Sequence, residues 1–219
     1  ATQASRDVPF RDFAATMVGD ARYYLKDWHF RVDGFGELAP VPPLFDDDWL
    51  SGERDMDYHF LYLGAAGTGT RLHCDVINSF SWSANVFGYK RWRFLPAEET
   101  ALLRDAFGED VADAFGPSSV DFPRRGLAEP IEVLQPPGSV IFVPSGWYHD
   151  VENATDALSV NCNWINGANC LWAPPRLADD EAARGGDVSR AQFLRKVSRA
   201  IAALALRCDD DAAVDLAAA

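Results

Sequence analysis

A chain of 219 residues, 48% hydrophobic and 12% aromatic with seven Trp, can close one large core, which excludes an intrinsically disordered segment. Its formal net charge of -13 and pI of about 4.6 set its surface against phosphate backbones, so direct nucleic-acid binding is not expected and a basic protein or peptide is the better-matched partner. The four cysteines form no CxxC pair and read as reduced thiols; no apolar run reaches membrane-span length and no signal-peptide pattern opens the chain, so no membrane contact and a cytoplasmic or nuclear location are expected.

In chain order, residues 1–20 carry a loose helical stripe (Val8, Phe10, Phe13, Ala14, Met17) and predict an entry helix, with Ala rather than Met in first place leaving flanking sequence open. Residues 21–30 are aromatic and strand-like, and a Pro-rich loop runs on through Pro40, Pro42 and Pro43. Asp46-Asp47-Asp48-Trp49-Leu50 predicts the start of a short helix, with the acids favourable at its N-terminus. From Tyr58 short strand-like runs recur between Gly and Pro: YHFLYL, TRLHCDV, SFSWSANVF, YKRWRFLP, then IEVLQ, SVIFVP and ALSVNCNWIN. Residues 97–115 interrupt them with helix-forming composition. This pattern predicts a mainly β domain with flanking helices, a double-sheet barrel of jelly-roll type. Beyond it, 173–187 reads as a linker, 188–208 as an amphipathic helix (Phe193, Leu194, Val197, Ile201, Leu204, Leu206), and 209–219 as a frayed tail. The helix packs on its own domain in the favoured reading; dimerisation with a second copy is the other.

His73 and Asp75 in Thr70-Arg71-Leu72-His73-Cys74-Asp75 share a face if the backbone is extended, and so offer an imidazole nitrogen and a carboxylate oxygen to one point. His149, in a turn directly after SVIFV, is the natural third ligand. Two histidines and one carboxylate with open positions are the facial arrangement of non-haem Fe(II) oxygenases. His29 and His59 read as structural. On YKRWRFL, Lys90 shares a face with Trp92 and Phe94 and so points inward, where an ammonium needs a partner; a bound anion supplies one. Ser81, Ser83 and Asn85 on one strand, and Ser159, Asn161 and Asn163 on another, form short polar faces suited to an enclosed cavity that holds a dicarboxylate.

The run HCD…SFSWSANVFGYKRWRFLP…PPGSVIFVPSGWYHDVENATDALSVNCNWIN resembles the Jumonji-C (JmjC) oxygenases over residues 20–170. The resemblance implies a cupin-like double-stranded β-helix within a domain spanning 1–172, Fe(II) held by His73, Asp75 and His149, and 2-oxoglutarate and O2 as co-substrates. It implies Lys90 on the distal carboxylate of 2-oxoglutarate, helped by Thr70 and Tyr24, with Asn161 and Ser83 at positions where relatives often carry Thr and Asn. In a regular strand Thr70 faces away from His73, so its role requires a twist or bulge. The segments YLKDWH, SWSANV and NWING resemble the branch that hydroxylates a lysine of the eukaryotic class-1 translation release factor, which implies that protein as substrate and partner. Family demethylases usually carry Glu where this chain has Asp75 and often add reader modules, so N-methyl-lysine demethylation is the alternative rather than the first reading. Hydroxylation of another protein is a further one. A catalytically inactive binding module would not explain the intact set of four residues, and a zinc hydrolase would not explain Lys90.

Overall fold

Strands that alternate short polar with bulky apolar residues have two different faces, and each face needs its own partner. The computed structural model, which describes residues 8–16, 23–36, 39–51, 57–170 and 172, satisfies both with two antiparallel sheets. In chain order the strands are β1 (Tyr24–Trp28), β2 (His59–Gly64), β3 (Gly69–His73), β4 (Phe80–Phe87), β5 (Lys90–Leu95), β6 (Ile131–Gln135), β7 (Val140–Val143), β8 (Tyr148–Asn153) and β9 (Ala157–Trp164). The larger sheet runs β1-β2-β9-β4-β7 and the smaller β3-β8-β5-β6. From β2 onward the chain passes from one sheet to the other at each step except the β5–β6 pairing, and so winds a double-stranded β-helix, as the strand pattern predicts.

The larger sheet turns its polar face inward. Ser81, Ser83 and Asn85 of β4 and Ser159, Asn161 and Asn163 of β9 line its inner wall. Trp82, Val160, Cys162 and Trp164 point out and are buried beneath Phe30 and Phe45 of the preceding segment. Phe45 stacks on Trp82 with ring centroids 5.6 Å apart. Burying side chains of this size stabilises by about 1.5–3 kcal/mol each, so the segment before β2 is a structural layer of the barrel. The smaller sheet supplies the inner apolar packing: Trp92, Phe94 and Val151 meet Val143 of β7 across the barrel. Its outer face packs Leu72 and Leu95 under Leu103.

Four local expectations change. The entry helix is α1, Phe10–Thr16; Val8 and Pro9 precede it outside the helix, and 1–7 and 17–20 lie outside the described residues. The acids at 46–48 start no helix: the Asp48 carboxylate accepts the backbone N–H of Leu50 at 2.8 Å and of Ser51 at 3.2 Å, closing a turn instead. In 97–115 a 3-10 helix covers only Ala97–Leu103; Asp105 then accepts N–H groups of Phe107 (3.0 Å) and Glu109 (2.9 Å), and Arg104 bridges to Val111. Finally, residues 148–153 form β8. Its sequence YHDVEN has weak strand character by itself; pairing with β3 and β5 on its two sides, and the Arg93–Asp150 ion pair (Nε to Oδ1 2.8 Å), make it a strand. The expected linker, C-terminal helix and tail lie outside the described residues. No helix among the described residues is long and apolar enough to cross a membrane. Cys162 is a buried free thiol.

Candidate metal centre and co-substrate pocket

β3 and β8 are neighbours, and the register sets His73 directly opposite His149. His149 is therefore the second residue of a strand, not part of the preceding turn. Asp75 lies past the end of β3 on backbone that stays extended (φ -61°, ψ 147°), which keeps it on the side of His73. The chain then turns sharply through Ile77 (φ 59°) and Asn78 (φ 50°). A left-handed β-branched residue costs about 1–2 kcal/mol; the buried Ile77 side chain, packed with Leu50 and Ile165, holds it there.

One ligand atom from each of His73, Asp75 and His149 lies within 4.8 Å of the others. Both imidazoles are aimed by their own backbone: Nδ1 of His73 meets the Arg71 carbonyl at 2.8 Å, and Nδ1 of His149 meets that of Trp147 at 3.2 Å. A carbonyl only accepts, so each Nδ1 carries the proton and each Nε2 offers its lone pair. His149 is buried against the stacked pair Trp92 and Phe94, whose ring centroids each stand 5.8 Å from its own. Burial holds it neutral, its pKa pushed down to about 4, with His73 adding to and Asp75 opposing that shift. On Asp75, Oδ1 stands 3.9 Å from His73 Nε2, and Oδ2 accepts the Ser81 hydroxyl at 2.6 Å. One carboxylate oxygen is thus occupied and the other left for a cation. Two imidazoles presenting Nε2 and one carboxylate at this spacing fit a divalent iron with open positions.

Deeper in the barrel, Lys90 is 2% exposed, and its ammonium donates to Asn153 Oδ1 at 2.9 Å and stands 5.8 Å from the centre of the Tyr24 ring. Burial pushes its pKa down to about 8. The parity of Thr70 is resolved by a bulge: β3 takes three steps from Thr70 to His73 while β8 takes two from Val151 to His149, so both side chains turn inward. Tyr24 is hydrogen-bonded to Thr70, and burial keeps its phenol protonated well above the ordinary range. On the opposite wall Ser83 and Ser159 both donate to Asn161 Oδ1, each at 3.0 Å. All eight predicted site residues thus line one interior, three at the metal end, Lys90, Tyr24 and Thr70 further in, and Ser83 with Asn161 on the facing sheet.

Sequence reasoning did not single out Ser81 as the partner of Asp75, although its place on the polar face of β4 was visible. It missed Asn153, because β8 itself was missed. His29 and His59 serve the structure: the first meets the Asp57 carbonyl at 2.9 Å, the second the Asp57 carboxylate at 2.7 Å. Ser81→Ala is expected to weaken divalent metal binding about ten- to a hundredfold, while Ser81→Thr retains it. Titration with Mn(II) checks this, and unchanged melting of the metal-free variant separates it from misfolding.

A cupin-like domain family model matches residues 7–169. The chain is 42% identical over 178 residues to the arginine-specific demethylase JMJ20 of Arabidopsis thaliana, covering 71% of this chain and 38% of that protein. It is 42% identical over 155 residues to the 2-oxoglutarate and iron-dependent oxygenase JMJD4 of Homo sapiens (67% and 37%). With the Drosophila melanogaster homologue of the latter it shares 37% over 187 residues (81% and 42%). The chain therefore spans well under half the length of these curated relatives.

Proposed function

This chain belongs to the cupin-like JmjC family, and from that premise we propose that it is an Fe(II)- and 2-oxoglutarate-dependent oxygenase that hydroxylates a protein side chain, a lysine of a translation release factor being the favoured target. The observation that carries the reading is the pairing of two sites in one barrel: three ligand atoms within 4.8 Å of one another, and a buried ammonium with no carboxylate partner among the described residues. A metal hydrolase needs the first and has no use for the second.

His73, Asp75 and His149 would hold the iron, and Lys90, with Tyr24 and Thr70, the far carboxylate of 2-oxoglutarate. Iron and 2-oxoglutarate together supply the oxidation: oxygen is consumed, the oxo acid leaves as succinate and carbon dioxide, and one oxygen atom enters a C–H bond of the substrate. The protein's part is to position and enclose. The two Nδ1–carbonyl bonds fix the imidazoles, and Ser81 fixes the carboxylate. Trp92 and Phe94 close the wall around His149 and keep water from it. Asn161 has its oxygen engaged by two serine hydroxyls, so what it would offer a co-substrate is its amide N–H donors.

The test is mass spectrometry of a release-factor substrate after incubation with enzyme, Fe(II), 2-oxoglutarate and oxygen. A lysine gaining one oxygen atom supports the reading; turnover on a different protein reassigns the target. Demethylation is a second reading, favoured by the name of the Arabidopsis relative. It predicts loss of a methyl group and release of formaldehyde.

The same reading sets a pH dependence. The Lys90 ammonium holds the co-substrate only while charged, and its pKa in the free protein is about 8. Affinity for 2-oxoglutarate is therefore expected to be level below pH 8 and to fall by up to about tenfold for each further pH unit. Calorimetric titrations at pH 7 to 9.5 check this; a flat profile removes Lys90 from the role.

A further inference from the structure

Asn153 is the cross-strand partner of Lys90 and is fully buried. Four hydrogen bonds hold it. Its backbone N–H donates to the Thr68 carbonyl (2.8 Å) and its own carbonyl accepts from Gly67 (2.8 Å). Its Nδ2 donates to Thr68 Oγ1 (3.0 Å), and its Oδ1 accepts from Lys90 (2.9 Å). The direction of the amide follows from the threonine. Thr68 spends its single hydroxyl proton on the Ala65 carbonyl at 2.6 Å, so it presents only lone pairs to Asn153. The NH2 group must face Thr68, and the oxygen must face Lys90.

The turn after β2 is shaped to make this contact. A Cβ on Gly64 would stand 2.5 Å from Thr68 Oγ1, 2.5 Å from Tyr24 Cδ2 and 2.9 Å from Asn153 Nδ2, so only glycine admits the three side chains together. The result is a buried cation oriented by a neutral oxygen. A neutral acceptor aims the ammonium without cancelling its charge, whereas a carboxylate at the same place would cancel it.

We propose that Asn153, fixed by Thr68, is a positioning and specificity-determining residue. It orients Lys90 while leaving its charge uncompensated, so that the barrel selects a 2-oxo acid bearing a second, distal carboxylate. This rests on the oxygenase reading of the site. It separates two properties usually credited to the lysine alone: Lys90 provides the charge, and Asn153 keeps that charge available.

The experiment measures anaerobic binding of 2-oxoglutarate and of 2-oxobutyrate, which lacks the distal carboxylate, to Mn(II)-loaded wild type, Asn153→Asp and Thr68→Val. Lysine side-chain NMR follows the titration of Lys90 in parallel. Asn153→Asp is expected to raise the Lys90 pKa and to weaken 2-oxoglutarate binding about tenfold or more. Binding of 2-oxobutyrate and of metal should hold within about twofold, so the preference for the dicarboxylate collapses. Thr68→Val, which frees the amide to turn, should lose about three- to tenfold for 2-oxoglutarate alone. It also answers the question if the aspartate variant does not fold. Unchanged 2-oxoglutarate affinity in either folded variant overturns the proposal, as does an equal loss for both ligands. A wild-type protein that binds Mn(II) but not 2-oxoglutarate defeats the oxygenase reading itself, and that failure is distinct from a failure in the variants.

Discussion

Asp75→Ala is expected to abolish turnover, a loss of at least about a thousandfold, and to release iron at concentrations that saturate the wild type. The geometry gives the reason. His73 and His149 come from paired strands and keep their aim without Asp75, since each is held by its own backbone carbonyl. What the substitution removes is the one carboxylate among the three proposed ligands, and it leaves the Ser81 hydroxyl without its 2.6 Å acceptor. The fold should persist, because Asp75 is outside any strand and its neighbour Ile77 remains anchored. Metal content and activity are the measurements, with circular dichroism as the control. Retention of stoichiometric iron by Asp75→Ala would remove the carboxylate from the ligand set.

Lys90→Met should push function and stability in opposite directions. Loss of the ammonium is expected to raise the 2-oxoglutarate requirement about a hundredfold, from loss of a desolvated charge-assisted contact. The protein itself should become more stable at neutral pH. The shift of Lys90 from 10.5 to about 8 corresponds to about 3 kcal/mol against the charged form in the fold. Leaving Asn153 Oδ1 unpaired returns about 1 kcal/mol or more of that. The sign with pH is specific. The folded pKa lies below the unfolded one, so between pH 8 and 10.5 the unfolded chain holds the extra proton and the wild type gains stability as pH rises. Below pH 8 the penalty is present in full. Denaturant melts at pH 7 and 10 should show this rise in the wild type and not in Lys90→Met. A variant less stable than wild type at pH 7 would show that the ammonium is better compensated than one asparagine allows.

The residues of the candidate site were legible because their pattern survives without knowledge of pairing. Lys90 follows from strict alternation on β5, and the polar wall from the Ser and Asn alternation on β4 and β9. What the sequence concealed depends on partners far along the chain. β8 is a strand because β3 and β5 flank it, and its charged residues found counterions there. The bulge that turns Thr70 inward is a property of register between β3 and β8, invisible in either segment alone. The acids at 46–48 read as helix starters, and Asp105 falls within a stretch, 97–115, of helix-forming composition. Short carboxylates also close turns on their own backbone, and here the turn won because Asp48 and Asp105 each satisfy two N–H groups at once.

The inward polar wall of the larger sheet has a consequence for the order of assembly. Phe30 and Phe45, near the start of the chain, find their burial against Trp82 and against Val160, Cys162 and Trp164 of β9. β2 pairs with β9, and His73 with His149. On the ribosome these early aromatic residues stay without their full cover until β9 has emerged, and the three residues proposed to hold iron cannot meet before His149 does. Contacts this distant in sequence make folding slow and hold apolar surface open while it proceeds. Iron loading at the proposed site is therefore expected late, once β9 has closed on β2, and a nascent chain stalled before β9 offers chaperones an aromatic face.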